Sequence, residues 1–203
     1  MTEPRLAPLA ADLWDAEARD LLKRGVLVGD GKVLNVFATL AHHPKLLKRW
    51  LVFGNHVLAK STLNARSREI LILRTGWLCG APYEWGQHVV IGRAAGLSDS
   101  EIAAISEGPT AQSWSEPEKL LLAAADELFA HRTIGDPTYA ALARSYSEQQ
   151  LLDIVFTIGQ YQLVSTALNT FRVQRDDGVT GVPMPDPARI DGLARPLPHL
   201  EQP

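Results

Sequence analysis

Glu69, Glu84 and His88 are the residues of this chain whose types and spacing could move a proton. Glu84 and His88 stand four apart in Pro82-Tyr83-Glu84-Trp85-Gly86-Gln87-His88. A helix over that stretch puts both on one face, a turn from each other. Glu69 precedes them by one predicted helix, in Arg68-Glu69-Ile70-Leu71-Ile72-Leu73-Arg74. Carboxylates and an imidazole brought together in partial burial make a general acid/base site, because burial and neighbouring charge move their pKa values toward neutral pH. Ion pairing raises an imidazole pKa and burial lowers it, and the residues alone leave that balance open. Tyr83 and Trp85 flank Glu84 and are candidates for lining a substrate pocket. Each residue also has a plainer reading by itself: Glu69 and Glu84 as first-turn carboxylates, His88 as a core histidine, Tyr83 and Trp85 as core or interface aromatics.

Other chemistries find less in the sequence. Cys79 is the single cysteine, so no disulfide framework and no cysteine-only metal cage can form within the chain. It stands at the end of a predicted helix, and a helix C-terminus works against a thiolate; as a redox residue it would need a cation or a helix N-terminus. The pair His42-His43, with His56 or His131, has no common ligand spacing, and no metal site is expected. There is no Gly-x-Gly-x-x-Gly, no phosphate-binding loop and no nucleophile elbow.

The elements that must position these residues are helical throughout. Leu13, Leu21 and Leu22 suggest a first amphipathic helix stopped at Gly25, followed by the loop Val28–Lys32. Val36, Phe37 and Leu40 make a short helix, and Pro44 opens the next. Asn64 can cap the helix carrying Glu69, Pro82 opens the helix carrying Glu84 and His88, and Gly96 suits its end. Ser98, Ser115 and Ser147 each precede Glu or Gln by three, the signature of a capping box. The helix after Ser147 is apolar nearly all round and is expected to be the central one. No segment alternates like a solvated strand. The fold class expected is all-α: a helical extension over 1–34, a domain over 35–175, and a proline-rich arm over 176–203 that is either disordered or laid on a neighbouring subunit through Ile190, Leu193 and Leu197.

The bulk properties limit the partners. A net charge of −3 gives no electrostatic reason to bind nucleic acid or an anionic membrane. The N-terminal stretch lacks the apolar run of a secretory signal. The best candidate for a membrane span, Leu151–Leu168, is interrupted by Asp153, Gly159, Gln160 and Gln162, so no span is expected and a cytoplasmic location is the default reading.

From about Asn35 to Arg172 the chain resembles the carboxymuconolactone decarboxylase family, which includes the alkyl hydroperoxidase D-like proteins. Three stretches carry the resemblance: Leu63 through Arg74, Tyr83-Glu84-Trp85-Gly86-Gln87-His88, and Arg93-Ala94-Ala95-Gly96-Leu97-Ser98. It implies an all-α fold of paired helices in homo-oligomers (trimers, hexamers or dimers), with the site close to subunit contacts. The redox branch of the family has a glutamate, a Cys-x-x-Cys pair and a histidine. Its glutamate falls on Glu69, its histidine on His88, and its two cysteines on Ala81 and Glu84, so this chain lacks both thiols. The decarboxylase branch needs neither thiols nor a metal or organic cofactor.

Three functions follow. The first is cofactor-independent decarboxylation, isomerisation or hydrolysis of a small carboxylated or lactone substrate, with His88 as general acid/base, Glu84 orienting it, Glu69 completing a relay, and Tyr83 and Trp85 lining the pocket. The second is a single-cysteine alkyl hydroperoxidase acting through Cys79. The third is a non-catalytic oligomeric binding protein in which the Glu–His–Glu network is structural.

Overall fold

The computed structural model describes residues 3–23, 32–179 and 183–186. Among them there is no strand, and the fold is all-α as expected. The helices are α1 (Ala16–Lys23), α2 (Asn35–Leu40), α3 (Pro44–Asn55), α4 (Ala65–Leu78), α5 (Pro82–Ala94), α6 (Asp99–Ala104), α7 (Glu116–His131), α8 (Asp136–Ser145) and α9 (Glu148–Phe171). The first helix starts later than expected, Leu13 lying in a separate short turn, Ala11–Leu13. Gly25 and most of the Val28–Lys32 loop lie outside the described residues, as do Ile190, Leu193 and Leu197.

Local side chain–backbone rules set the helix boundaries. The Asn64 side chain accepts from the Ser67 N–H and starts α4. Ser98, Ser115 and Ser147 each close a capping box, with Glu101, Glu118 and Gln150. Pro82 occupies the first turn of α5, where its missing N–H costs nothing. Gly96, at φ +91°, follows the end of α5 in the left-handed region that favours glycine.

The central helix is α4, which packs against α5, α7 and α9. Ile70, Leu71, Ile72 and Leu73 are fully buried on all its sides, each contributing about 1.5–3 kcal/mol on transfer from water. This corrects the assignment of that place to α9. One face of α9, with Leu151, Ile154, Ile158 and Leu168, is in the core, while Leu152, Val155, Phe156 and Leu163 are exposed. By length and composition α9 could cross a membrane, contrary to the expectation that no segment could. A core helix passes the same test, and the inner face of α9 is packed on α4.

The segment after α9 does not leave the molecule at once. Met184 packs against the main core, and the Trp77 indole donates to the Pro185 carbonyl at 3.1 Å. Asp176 returns to α2 and α5, where it meets the candidate site. The described start of the expected arm therefore packs on its own chain.

Candidate active site

The site is built where α4 and α5 approach closely. A Cβ on Gly92 of α5 would stand 3.2–3.3 Å from Leu97 and Leu73 and 3.9 Å from the Glu69 Cβ. Any side chain at 92 would press into those leucines and toward the base of Glu69. With glycine there, Glu69 on α4 and His88 on α5 meet at 2.6 Å, through Oε2 and Nδ1. The second ring nitrogen, Nε2, lies 3.1 Å from the Glu84 Oε1, one turn earlier on the same helix. The other Glu69 oxygen accepts from the Arg68 Nε at 3.2 Å. The structure thus brings all three expected catalytic residues together and adds Arg68.

The network is dry. The side chain of Glu69 is 0% exposed, that of His88 6% and that of Glu84 7%. Nδ1 is hydrogen-bonded to Glu69 and Nε2 stands at ion-pair distance from Glu84, an arrangement that favours the doubly protonated imidazolium. Burial pushes the imidazole pKa down, but the charges and hydrogen bonds of Glu69 and Glu84 outweigh it and raise His88 to about 10. With both carboxylates ionised, Arg68, Glu69, His88 and Glu84 alternate in sign and sum to zero, the condition under which buried charge is tolerated. The Tyr161 ring stands edge-on to His88, with centroids 4.9 Å apart and planes at 88°.

Glu84 and His88 form part of the wall of a cavity of about 190 Å³ between α3, α5 and α9. Its apolar lining comes from Val36, Phe37, Trp50, Leu58, Ile91 and Val164. Its other polar residues are Tyr83, Gln87, Gln160, Tyr161 and, at the exposed rim, Asn55. The volume is slightly above that of an apolar cavity known to admit benzene, so a single ring fits.

Tyr83 lines this cavity, but its hydroxyl is occupied. It donates to Asp176 at 2.5 Å and accepts from the Val36 N–H at 3.2 Å. Burial and then the Asp176 carboxylate push the phenol well above its usual pKa. Trp85 does not line the cavity. It is 2% exposed and belongs to the core cluster with Leu71, Leu73 and Val89. Positions two apart on a helix point some 200° apart, so Tyr83 and Trp85 cannot both face one pocket. Cys79 is also outside the lining, and burial pushes its thiol up to about 11, which keeps it protonated at neutral pH. Among the described residues no group of three or more His, Cys, Asp and Glu is arranged to hold a metal ion.

Sequence reasoning missed Asp176, Gln160 and Tyr161. Asp176 accepts from Tyr83, from the Gln87 Nε2 at 2.8 Å and from the Asn35 N–H at 2.8 Å, and so joins the cavity wall to the start of α2. None of the three has a local spacing signal that relates it to Glu84.

Comparison with known proteins accords with this geometry. Residues 44–127, which span α3 through most of α7, match the model of the carboxymuconolactone decarboxylase family. That match ties residues 44–127, rather than the whole chain, to the carboxymuconolactone decarboxylase family. Similar solved structures share the fold. An uncharacterised peroxidase-related protein from Ralstonia eutropha JMP134, with an alkylhydroperoxidase AhpD core, has a TM-score of 0.73 at 19% identity, covering 88% of this chain and 96% of that one. The debrominase Bmp8 has a TM-score of 0.70 at 18% identity, covering 86% and 93%. A protein of unknown function from Agrobacterium tumefaciens has a TM-score of 0.63 at 23% identity, covering 68% and 94%. No curated protein matches the chain.

Proposed function

We propose that this protein is a cofactor-independent lyase or isomerase that moves a proton on a small lactone-type or carboxylated ring compound held in the cavity beside Glu84. The observation that carries the reading is the continuous path Glu69–His88–Glu84, with the last two members in the cavity wall.

The geometry supports a different assignment of roles within that path. Both nitrogens of His88 are engaged, so the imidazole does not itself reach a ligand. Glu84 spends one oxygen on His88, and its other oxygen makes no hydrogen bond among the described residues. Glu84 is then the group that takes a proton from a carbon next to a carbonyl and returns it elsewhere on the ring. The imidazolium stabilises the carboxylate before the transfer and supplies a hydrogen bond throughout. Glu69, held by Arg68, fixes the ring orientation. Such positioned acid/base groups contribute typically about 10²–10⁴-fold to rate.

The test is deuterium incorporation from heavy water into a panel of unsaturated lactones, followed by proton NMR. The wild type exchanges at least one of them, and Glu84→Gln, which keeps shape and hydrogen bonding, lowers the rate by about 10²-fold or more. Unchanged exchange in that variant overturns the assignment. A homo-oligomer is part of the same proposal, because the exposed Leu152, Phe156 and Leu163 on α9 form an apolar stripe next to Phe53 of α3. A monomer by light scattering at micromolar concentration would contradict it.

A further inference from the structure

We propose that the cavity selects a neutral, ring-sized apolar molecule bearing one hydroxyl or N–H group, and rejects the matching carboxylate anion. This rests on the reading that the cavity beside Glu84 is the substrate site, and it decides between the two substrate classes named for it.

The selection follows from which polar groups of the wall are already spent. The Tyr83 hydroxyl and one N–H of the half-buried Gln87 amide are taken by Asp176. Both nitrogens of His88 are taken by glutamates. Among the described residues no lysine or arginine lines the cavity. A carboxylate brought inside would find no unspent cation and would face the Glu84 carboxylate. An anion buried without a partner is strongly disfavoured.

Three buried side chains of the wall keep polar atoms for a ligand. Gln160 lines the cavity at 4% exposure, and its Oε1 is buried with no hydrogen-bond partner among the described residues. Its Nε2 likewise makes no hydrogen bond there. The Tyr161 hydroxyl, from the next residue of α9, is also without a partner among the described residues. The second oxygen of Glu84 is an acceptor. Native proteins rarely leave a buried carboxamide unsatisfied, and each such group is costly unless something fills the gap. An amide, a phenol and a carboxylate oxygen together suit a group that both donates and accepts. A neutral hydroxyl or a ring N–H beside a carbonyl fits that description, and the apolar remainder of the wall suits the rest of the molecule.

The experiment is calorimetric titration of the wild-type protein at neutral pH with three probes of one shape: 4-ethylphenol, ethylbenzene and 4-ethylbenzoate. The expected order is 4-ethylphenol tightest, by about tenfold or more over each of the others, the larger end of what one or two net hydrogen bonds supply. Gln160→Leu and Tyr161→Phe should each weaken 4-ethylphenol by about two- to tenfold and leave ethylbenzene unchanged. Both variants keep the side-chain volume, and the leucine removes an unpaired buried amide, so neither should lower the melting temperature. The proposal is overturned if 4-ethylbenzoate binds as well as the phenol, if the variants leave the preference for the phenol unchanged, or if none of the probes binds at millimolar concentration. Binding is read without turnover, so failure of the Glu84 relay and failure of this selectivity are separate results.

Discussion

Two charged clusters leave the same helix and have opposite uses. Arg66 of α4 bonds to Glu118 at 2.8 Å, to Glu101 at 2.5 Å and to the Gly96 carbonyl at 3.0 Å, joining α4 to α6 and α7. Two residues later, Arg68 begins the path through Glu69 and His88 to Glu84. Each cluster holds two carboxylates. The first is centred on a guanidinium, which does not release a proton in the working range, is partly exposed and serves as scaffold. The second is centred on an imidazole, is fully enclosed on one side and opens to a cavity on the other. What separates a brace from a candidate active site here is the titratable centre and the adjoining space, not the number of charges.

A third cluster sharpens the contrast. Arg74, 4% exposed, bonds to both oxygens of Asp126 at 2.6 and 2.9 Å and to the carbonyls of Ile105 and Ser106. It fills the space in front of Gly108, whose φ is +67° and where a Cβ would stand 2.6 Å from the guanidinium. If buried arginine clusters are purely structural, Arg74→Met should cost about 3–5 kcal/mol by urea denaturation, because Asp126 is left largely buried and unpaired. It should leave deuterium exchange per folded molecule unchanged.

Glu69→Gln is the next largest expected effect. The amide keeps a hydrogen bond to His88 but removes the charge, so burial regains the upper hand and the imidazole should fall from about 10 toward its ordinary value or below. Nitrogen NMR of His88 across a pH series reads this directly. A pKa still near 10 would mean that Glu84 alone holds the proton.

The two clusters should also fail at opposite ends of the pH scale. His88 is raised in the folded state, so its contribution to stability is complete below about 6.5, the unfolded value, and is lost as pH rises through about 10. Glu101 is held down to about 2 by its hydrogen bond to Arg66, so its contribution is present above its unfolded value near 4.5 and is lost as pH falls through about 2. Arg66→Ala should lower stability at pH 6 and 9 by about 1 kcal/mol or less, since the cluster is partly exposed and screened, and by less at pH 3, where the Glu101 contribution is already fading. Denaturation midpoints at pH 3, 6 and 9 distinguish the two. The smallest effect is expected at Cys79, whose protonated thiol should gain no mass during brief exposure to a slight excess of organic hydroperoxide at neutral pH.

Much of this was legible in the sequence because it is local. Capping boxes, Pro82, Gly96 and the four-residue spacing of Glu84 and His88 all act within one or two turns. The partnership of Glu69 with His88 crosses two helices, and only the resemblance to a known family pointed to it. Trp85 was misplaced because its two-residue spacing from Tyr83 was not weighed against the helical period. The centrality of α9 was overread from its composition: an apolar helix with one exposed face looks in sequence like a buried one. Asp176 and Gln160 were invisible because their meaning depends on contacts across 89 residues or more for the one, and on what stayed unpaired for the other.

The latch at Asp176 also has a consequence for the order in which the protein becomes competent. Helix α5 is synthesised early, but Tyr83 and Gln87 receive their anchor from a carboxylate that follows α9 by five residues. A nascent chain still holding residue 176 within the ribosome can form the Glu69–His88 pair, but it lacks that closing contact on the cavity wall. The pocket is finished later than the chemistry it encloses.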